Sequence, residues 1–263
     1  MFESIVLGTI QGIAEWLPVS SEGIIVLVKT NFFESKTLID TVEIALFLHL
    51  GTFLAALVYF RKDVWALVVS LFKYKTSLIE TKAVLHFLVI STFISGIVIF
   101  GFLKIFDSSD AIILATGKTI TIIIGIMLLI TGILQLRSRK FGWRSSANLN
   151  YKDSIALGIM QGLAAIPGLS RSGLTVSSLL LRNFKESEAI RLSFLMSLPI
   201  VLGGNIVLNL QGFSWSLERF VALLFAFVFG LLTIDILLRV ARKIQFAWFV
   251  LGFGVLMILT VFL

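Results

Sequence analysis

Residues 153–176 read DSIALGIMQGLAAIPGLSRSGLTV, and residues 3–26 read ESIVLGTIQGIAEWLPVSSEGIIV. Shifted by 150 positions, the two segments align without a gap and share ten identities in 24. Ser4, Ile5, Leu7, Gly8, Gln11, Gly12, Ala14, Ser20, Gly23 and Val26 each meet their own kind. Identity this dense marks an internal repeat. Each copy reads as a short apolar helix, a break at Pro18 or at Pro167-Gly168, and a Ser/Gly-rich start to a second short helix. The residues able to do chemistry collect at the two breaks.

The rest of the chain sets the solvent. Of 263 residues, 58% are hydrophobic and 14% charged, with a mean hydropathy of +1.03. Soluble domains run nearer ~45–50% apolar and ~25% charged. A polytopic α-helical membrane protein is therefore expected, because a backbone in lipid has to satisfy its own hydrogen bonds. The apolar runs are unbroken rather than alternating, which argues against a β-barrel. With no cysteine, disulfides and thiolate chemistry are excluded. Residues 1–18 hold no basic stretch, only Glu3, which argues against a cleaved signal peptide. No polar segment is long enough for a soluble domain, so the net charge of +7 is assigned to the membrane and not to nucleic acid.

Two short helices, at about 2–17 and 20–28, fall below the ~20 apolar residues of a span and read as a re-entrant hairpin. Spans follow at 39–60, 83–104 and 111–136; a second hairpin at 153–181 precedes spans at 188–210, 217–238 and 244–263. Residues 64–74 are too short to cross and are placed at the interface. The expected fold is an all-α polytopic membrane protein, one domain over 1–263, with six spanning helices and two re-entrant helical hairpins. Repeat one covers 1–137 and repeat two 150–263. Three crossings separate the hairpins, so the copies enter from opposite faces as an inverted-topology repeat.

Charge supports that topology. One face would carry Arg61, Lys62, Lys73, Lys75, Lys82, Arg137, Arg139, Lys140, Arg144, Lys152, Arg182, Lys185, Arg191, Arg239, Arg242 and Lys243. The other would carry only Lys29, Lys36, Lys104 and Arg219, with Lys118 and Arg171 at membrane depth. The heavy face is cytoplasmic by the positive-inside rule, which turns both termini and the first hairpin outward across the plasma membrane.

At the first break, Gln11 and Glu15 are i,i+4 and share a helix face. A carboxylate there is costly and implies a functional partner, or else a side chain snorkelling to the interface. Ser20 and Ser21 open the next helix, whose free N–H groups suit an anion; plain N-capping is the alternative for each. At the second break Gly168, Ser170, Arg171, Ser172, Gly173 and Thr175 spell GLSRSGLT. An Arg at membrane depth among hydroxyls and free amides suits phosphate, the alternative being a structural pair with Glu15. The spacing is not that of a Walker A loop. Together the tips suit a diphosphate on a lipid tail. Glu15 could hold a divalent cation, Ser21 could attack phosphorus, and Arg171 could stabilise the transferring group.

QGIAEWLPVSSEG with PGLSRSGLT resembles the undecaprenyl pyrophosphate phosphatase (BacA/UppP) family over essentially the whole chain. Its signatures are (E/Q)xxxE followed by PxSSxGH, and PGxSRSxxT. The resemblance implies an integral membrane enzyme that hydrolyses a polyprenyl diphosphate to the monophosphate, with Mg2+ or Ca2+, at an outward-opening site. By position Glu15 matches the family's second acidic residue, Ser21 the proposed nucleophile and Arg171 the phosphate-binding arginine. Ser170 and Thr175 match its polar neighbours. Gln11, with Glu15 the expected metal ligand, stands where many members carry Glu. Ile24 stands where the family has a histidine given a nucleophile or acid/base role. Glu22, two residues away, is read evenly as a substitute acid/base group or as an outward-facing residue at the hairpin tip.

His49, in the first span, is read first as a packing residue that could also reach the site. His86 carries no specific signal. Asp40 and Glu43 are expected to be solvated, Asp235 to pair with Arg239, and Lys118 to snorkel. Trp16, Trp65, Trp143, Trp215 and Trp248 are read mostly as interfacial anchors. A homodimer is compatible with this reading. The alternative function is a polyprenyl-phosphate flippase on the same scaffold, favoured by the inverted repeat and the missing histidine; a small-ion channel ranks below both.

Overall fold

The computed structural model describes residues 1–33, 38–107, 117–138, 142–166, 168–209, 216–243 and 246–260. The helices among them are α1 (Phe2–Ala14), α2 (Ser21–Phe32), α3 (Leu38–Tyr59), α4 (Arg61–Phe72), α5 (Ile79–Asp107), α6 (Gly117–Arg137), α7 (Tyr151–Leu163), α8 (Arg171–Leu181), α9 (Glu186–Asn209), α10 (Leu217–Lys243) and α11 (Phe246–Thr260). The described residues are all-helical apart from turns, loops and one isolated bridge, Arg144 to Phe184. Pro167, Trp215, Lys36, Arg139 and Lys140, and the side chains of Asp40 and Lys118, lie outside the described residues.

Among the described residues, three helices are long and apolar enough to cross a membrane: Ile79–Phe102, Glu186–Val207 and Leu217–Val240. A fourth span results if α3 and α4 count as one, although they meet at 83°. The bend sets α4, which holds most of residues 64–74, off from the axis of α3. Thr121–Arg137 and Ala247–Leu259 are apolar but shorter. Large apolar side chains face outward on the long helices, among them Phe93, Ile97 and Phe100 on α5 and Leu232 and Ile236 on α10. An exterior of that kind is solvated by lipid, not water.

The chain forms two compact units, Met1–Ala66 with Ser197–Ile244, and Leu67–Met196 with Gln245–Leu263. In the first, α10 packs against both α1 and α3, and glycines set the distance. A Cβ on Gly8 would fall 2.3 Å from the Ala222 carbonyl oxygen, and one on Gly51 2.6 Å from Ala226 Cβ. Between lipid-soluble helices such close backbone approach is what supplies dispersion contact. Leu7, Ile25, Ala45, Leu48, Ala222 and Ala226 fill the core beneath. Trp16 belongs to this packing. It is 2% exposed and donates its indole N–H to the Gly230 carbonyl at 3.0 Å, so it is no interfacial anchor. Trp65, Trp143 and Trp248 are exposed.

The second unit repeats the device. Gly158 and Gly162 of α7 lie where a Cβ would come within 2.7 Å of Ile94 and 2.5 Å of Val98 on α5. These glycines stand 150 residues after Gly8 and Gly12. Gly125 and Gly132 of α6 likewise admit Ile258 and Leu251 of α11. At the start of α7, Asp153 is fully buried between Arg144 and Arg182. Burial alone would raise its pKa, but hydrogen bonds from Arg144, Arg182 and the Asn150 N–H outweigh that and hold the carboxyl below the ordinary range. Arg144 also stacks over the Phe184 ring, 4.2 Å from its centroid.

Candidate active site

The first break is built by the end of one helix and the cap of the next. α1 closes with the Glu15 N–H on the Gln11 carbonyl, and the Leu17 N–H on Ala14 turns the chain toward Pro18. Pro18 has no N–H to continue a ladder. Ser20 then caps α2, its hydroxyl accepting the Gly23 N–H at 3.1 Å. The capping alternative therefore holds for Ser20 and leaves its hydroxyl proton available to donate. Ser21, the first residue of α2, does something else.

Ser21 Oγ donates to Glu15 Oε2 at 3.2 Å. Gln11 Nε2 donates to the same oxygen at 2.9 Å, across one turn of α1. His49 Nε2 lies 3.3 Å from it, reaching in from α3. Glu15 is 6% exposed and Gln11 fully buried, so the carboxylate does not snorkel. A buried carboxylate is tolerated only where donors offset its desolvation, and three elements supply them here. Gln11 Oε1 has no hydrogen-bond partner among the described residues. Ile24 sits one turn beyond Ser21 on α2, and Glu22, half-buried, occupies the first turn of that helix, where a negative charge complements the dipole.

His49 is the residue that sequence reasoning placed too low. The signal was available: an imidazole midway along a largely apolar span, in a chain with only two histidines. What the sequence withheld was that α3 brings the ring to Glu15, 34 positions away. His86, by contrast, hydrogen-bonds the Tyr74 hydroxyl at 2.9 Å. Asp235 pairs with Arg239 as expected and also accepts from the Tyr59 hydroxyl at 3.1 Å.

The second break reproduces the first in its cap. Ser170 accepts the Gly173 N–H at 3.1 Å, as Ser20 does for Gly23. Gly168 has φ +95°, and a Cβ there would lie 2.8 Å from the Ile124 backbone. Only glycine meets both demands. Arg171 is the first residue of α8. Thr175, fully buried, bonds the Arg171 carbonyl at 2.8 Å and the Ser193 hydroxyl at 2.7 Å, tying that turn to α9. Ser172 Oγ lies 3.4 Å from Ser170 Oγ. Gln161, the repeat partner of Gln11, donates to Ser95 Oγ and to the Met196 carbonyl, each at 3.2 Å.

Comparison with known proteins identifies the family. The model of a family described as bacitracin resistance protein BacA covers residues 4–258. A protein of Methanococcoides burtonii named undecaprenyl-diphosphatase is 47% identical over 99% of this chain and 98% of its own. Proteins of the same name are 33% identical in Methanothrix thermoacetophila, over 97% of this chain and 94% of theirs, and 35% identical in Haloarcula marismortui, over 92% and 90%. With a family model spanning nearly its whole length and relatives aligned end to end, this chain is a membrane protein of the BacA family.

Proposed function

We propose that this chain hydrolyses undecaprenyl diphosphate to the monophosphate and inorganic phosphate, recycling a lipid carrier of cell-envelope synthesis. Relatives of matching length bear the name undecaprenyl-diphosphatase. The observation that carries the reading to residues is the buried hydrogen bond from Ser21 to Glu15 at the start of α2. A serine hydroxyl is a weak nucleophile until a neighbouring base takes its proton. Ser21 Oγ would form a bond to the terminal phosphorus while its proton passes to Glu15 Oε2. The bridging P–O bond breaks and the lipid monophosphate leaves. Water then displaces Ser21 from phosphorus, giving inorganic phosphate, and the serine recovers a proton.

Arg171, with Ser170, Ser172, Thr175 and Gly168 shaping its turn, is assigned to the phosphate groups. Its service in the same reaction as Glu15 rests on the sequence repeat, in which two serine-capped breaks occupy equivalent positions. Ser20 is assigned to phosphate through its hydroxyl proton, and Glu22 to a lesser role at the same helix start. Mg2+ or Ca2+ is the expected cofactor, and when bound it would neutralise diphosphate charge. Glu15 and Gln11 would hold it, and the partnerless Gln11 Oε1 fits that use. No group of three or more His, Cys, Asp or Glu able to hold a metal occurs among the described residues. The remaining oxygens would come from the substrate.

The finer topology belongs to the same proposal: six spans, two re-entrant hairpins in inverted repeat, and termini and site facing outward across the plasma membrane. The short lengths of α1, α2, α7 and α8 support it, at 13, 12, 13 and 11 residues. The flippase alternative gains nothing from the relatives, whose names are those of hydrolases. The test is purified protein in detergent with undecaprenyl diphosphate and Mg2+ or Ca2+. One monophosphate per phosphate released is expected, with Arg171→Ala lowering kcat/KM by ~10²-fold or more. Absence of release with either ion, alongside lipid transfer in vesicles, would sink the reading.

A further inference from the structure

We propose that His49 is the positioning residue that holds the Glu15 carboxylate toward Ser21, replacing from α3 the histidine that the family pattern carries where this chain has Ile24. The inference rests on the phosphatase reading and deepens it. Its starting point is a gap: the hydrocarbon of Ile24 can neither donate nor accept a hydrogen bond, and Ile24 lies one turn from Ser21.

The ring of His49 is fixed at both nitrogens. Nδ1 lies 2.7 Å from the Ala45 carbonyl oxygen, one turn back on α3. A carbonyl only accepts, so Nδ1 carries a proton. Nε2 then faces Glu15 Oε2 at 3.3 Å. A histidine present only for packing would be satisfied by Ala45 alone. Here the second nitrogen is spent on the oxygen to which Ser21 donates.

The consequence is geometric. Gln11 approaches Oε2 from the preceding turn of α1 and Ser21 from α2, both on the hairpin that carries Glu15 itself. His49 ties the carboxylate to a separate helix, α3. Misplacing a reacting group by about 1 Å costs on the order of 10²-fold in rate, so the loss of His49 is felt in kcat more than in KM.

The experiment compares phosphate release from undecaprenyl diphosphate by the full-length parent, His49→Leu and His49→Gln, each checked by thermal melting in detergent. Gln presents a terminal amide near the position of Nε2 and can donate or accept. The expected result is a fall in kcat of ~10²-fold for His49→Leu with KM changed by less than ~3-fold, and recovery to within ~5-fold of the parent for His49→Gln. Adding Ile24→His to His49→Leu should restore at least ~10-fold of the lost rate. An active His49→Leu overturns the role, as does a folded His49→Gln no better than His49→Leu. Failure of the Ile24→His rescue overturns the exchange between positions 24 and 49. A parent that releases nothing overturns the phosphatase reading, and the role of His49 with it.

Discussion

Replacing Gly12 by alanine tests whether the α1–α10 contact sets the site. The added Cβ would sit 2.7 Å from the Gly230 nitrogen, 2.8 Å from the Ala226 carbonyl oxygen and 3.0 Å from Phe229 Cβ. Two of those atoms are backbone and cannot swing aside. Comfortable carbon contact begins near ~3.5 Å, so the helices have to part by ~0.8 Å. Forced overpacking of this kind costs ~1–3 kcal/mol. Working against it, alanine is the better helix former by ~0.8–1.0 kcal/mol. Gly96, inside α5 with no atom within 4 Å of its virtual Cβ, isolates that gain. Thermal unfolding in detergent should therefore place Gly12→Ala below Gly96→Ala by ~1–3 kcal/mol. Because Gln11 and Glu15 ride on α1, phosphate release by Gly12→Ala should also fall, toward the ~10²-fold set by a 1 Å displacement. A Gly12→Ala protein that melts and turns over like Gly96→Ala would refute the reasoning.

Asp153→Asn removes a buried charge from between Arg144 and Arg182 and should cost ~3–5 kcal/mol at neutral pH, read as a lower melting temperature. The sign with pH follows from the lowered carboxyl. Its stabilisation is complete above the ordinary carboxylate range and is lost as pH falls through the folded value. The parent should thus lose stability in acid more steeply than Asp153→Asn, and parallel curves would contradict this. Chelation of divalent ions should abolish phosphate release, and Mg2+ or Ca2+ should restore it. Full activity in excess chelator would remove Glu15 and Gln11 from any metal role.

Much of the site was legible because local rules carry it. The 150-residue repeat brought with it two serine caps, and Ser20 and Ser170 make the same bond to the N–H three residues on. The i,i+4 spacing of Gln11 and Glu15 placed them on one helix face, where they bond at 2.9 Å. What escaped depends on partners far along the chain. Trp16 looked interfacial until α10 supplied the Gly230 carbonyl, 214 positions away. Gly8, Gly12, Gly158 and Gly162 are repeated residues whose meaning is steric and appears only against the helices they touch. His49 carries no motif at all. Helix ends also shifted: α5 begins at Ile79 rather than 83, since the polar stretch IETK is helical too.

The most direct test of the account concerns Ser21. Purified protein is mixed with undecaprenyl diphosphate labelled in its terminal phosphate, quenched in acid within one turnover, and digested for mass spectrometry. The account predicts label on the peptide bearing Ser21 and, for Ser21→Ala, no label with phosphate release reduced ~10³-fold or more. Release at the parental rate by Ser21→Ala would contradict it.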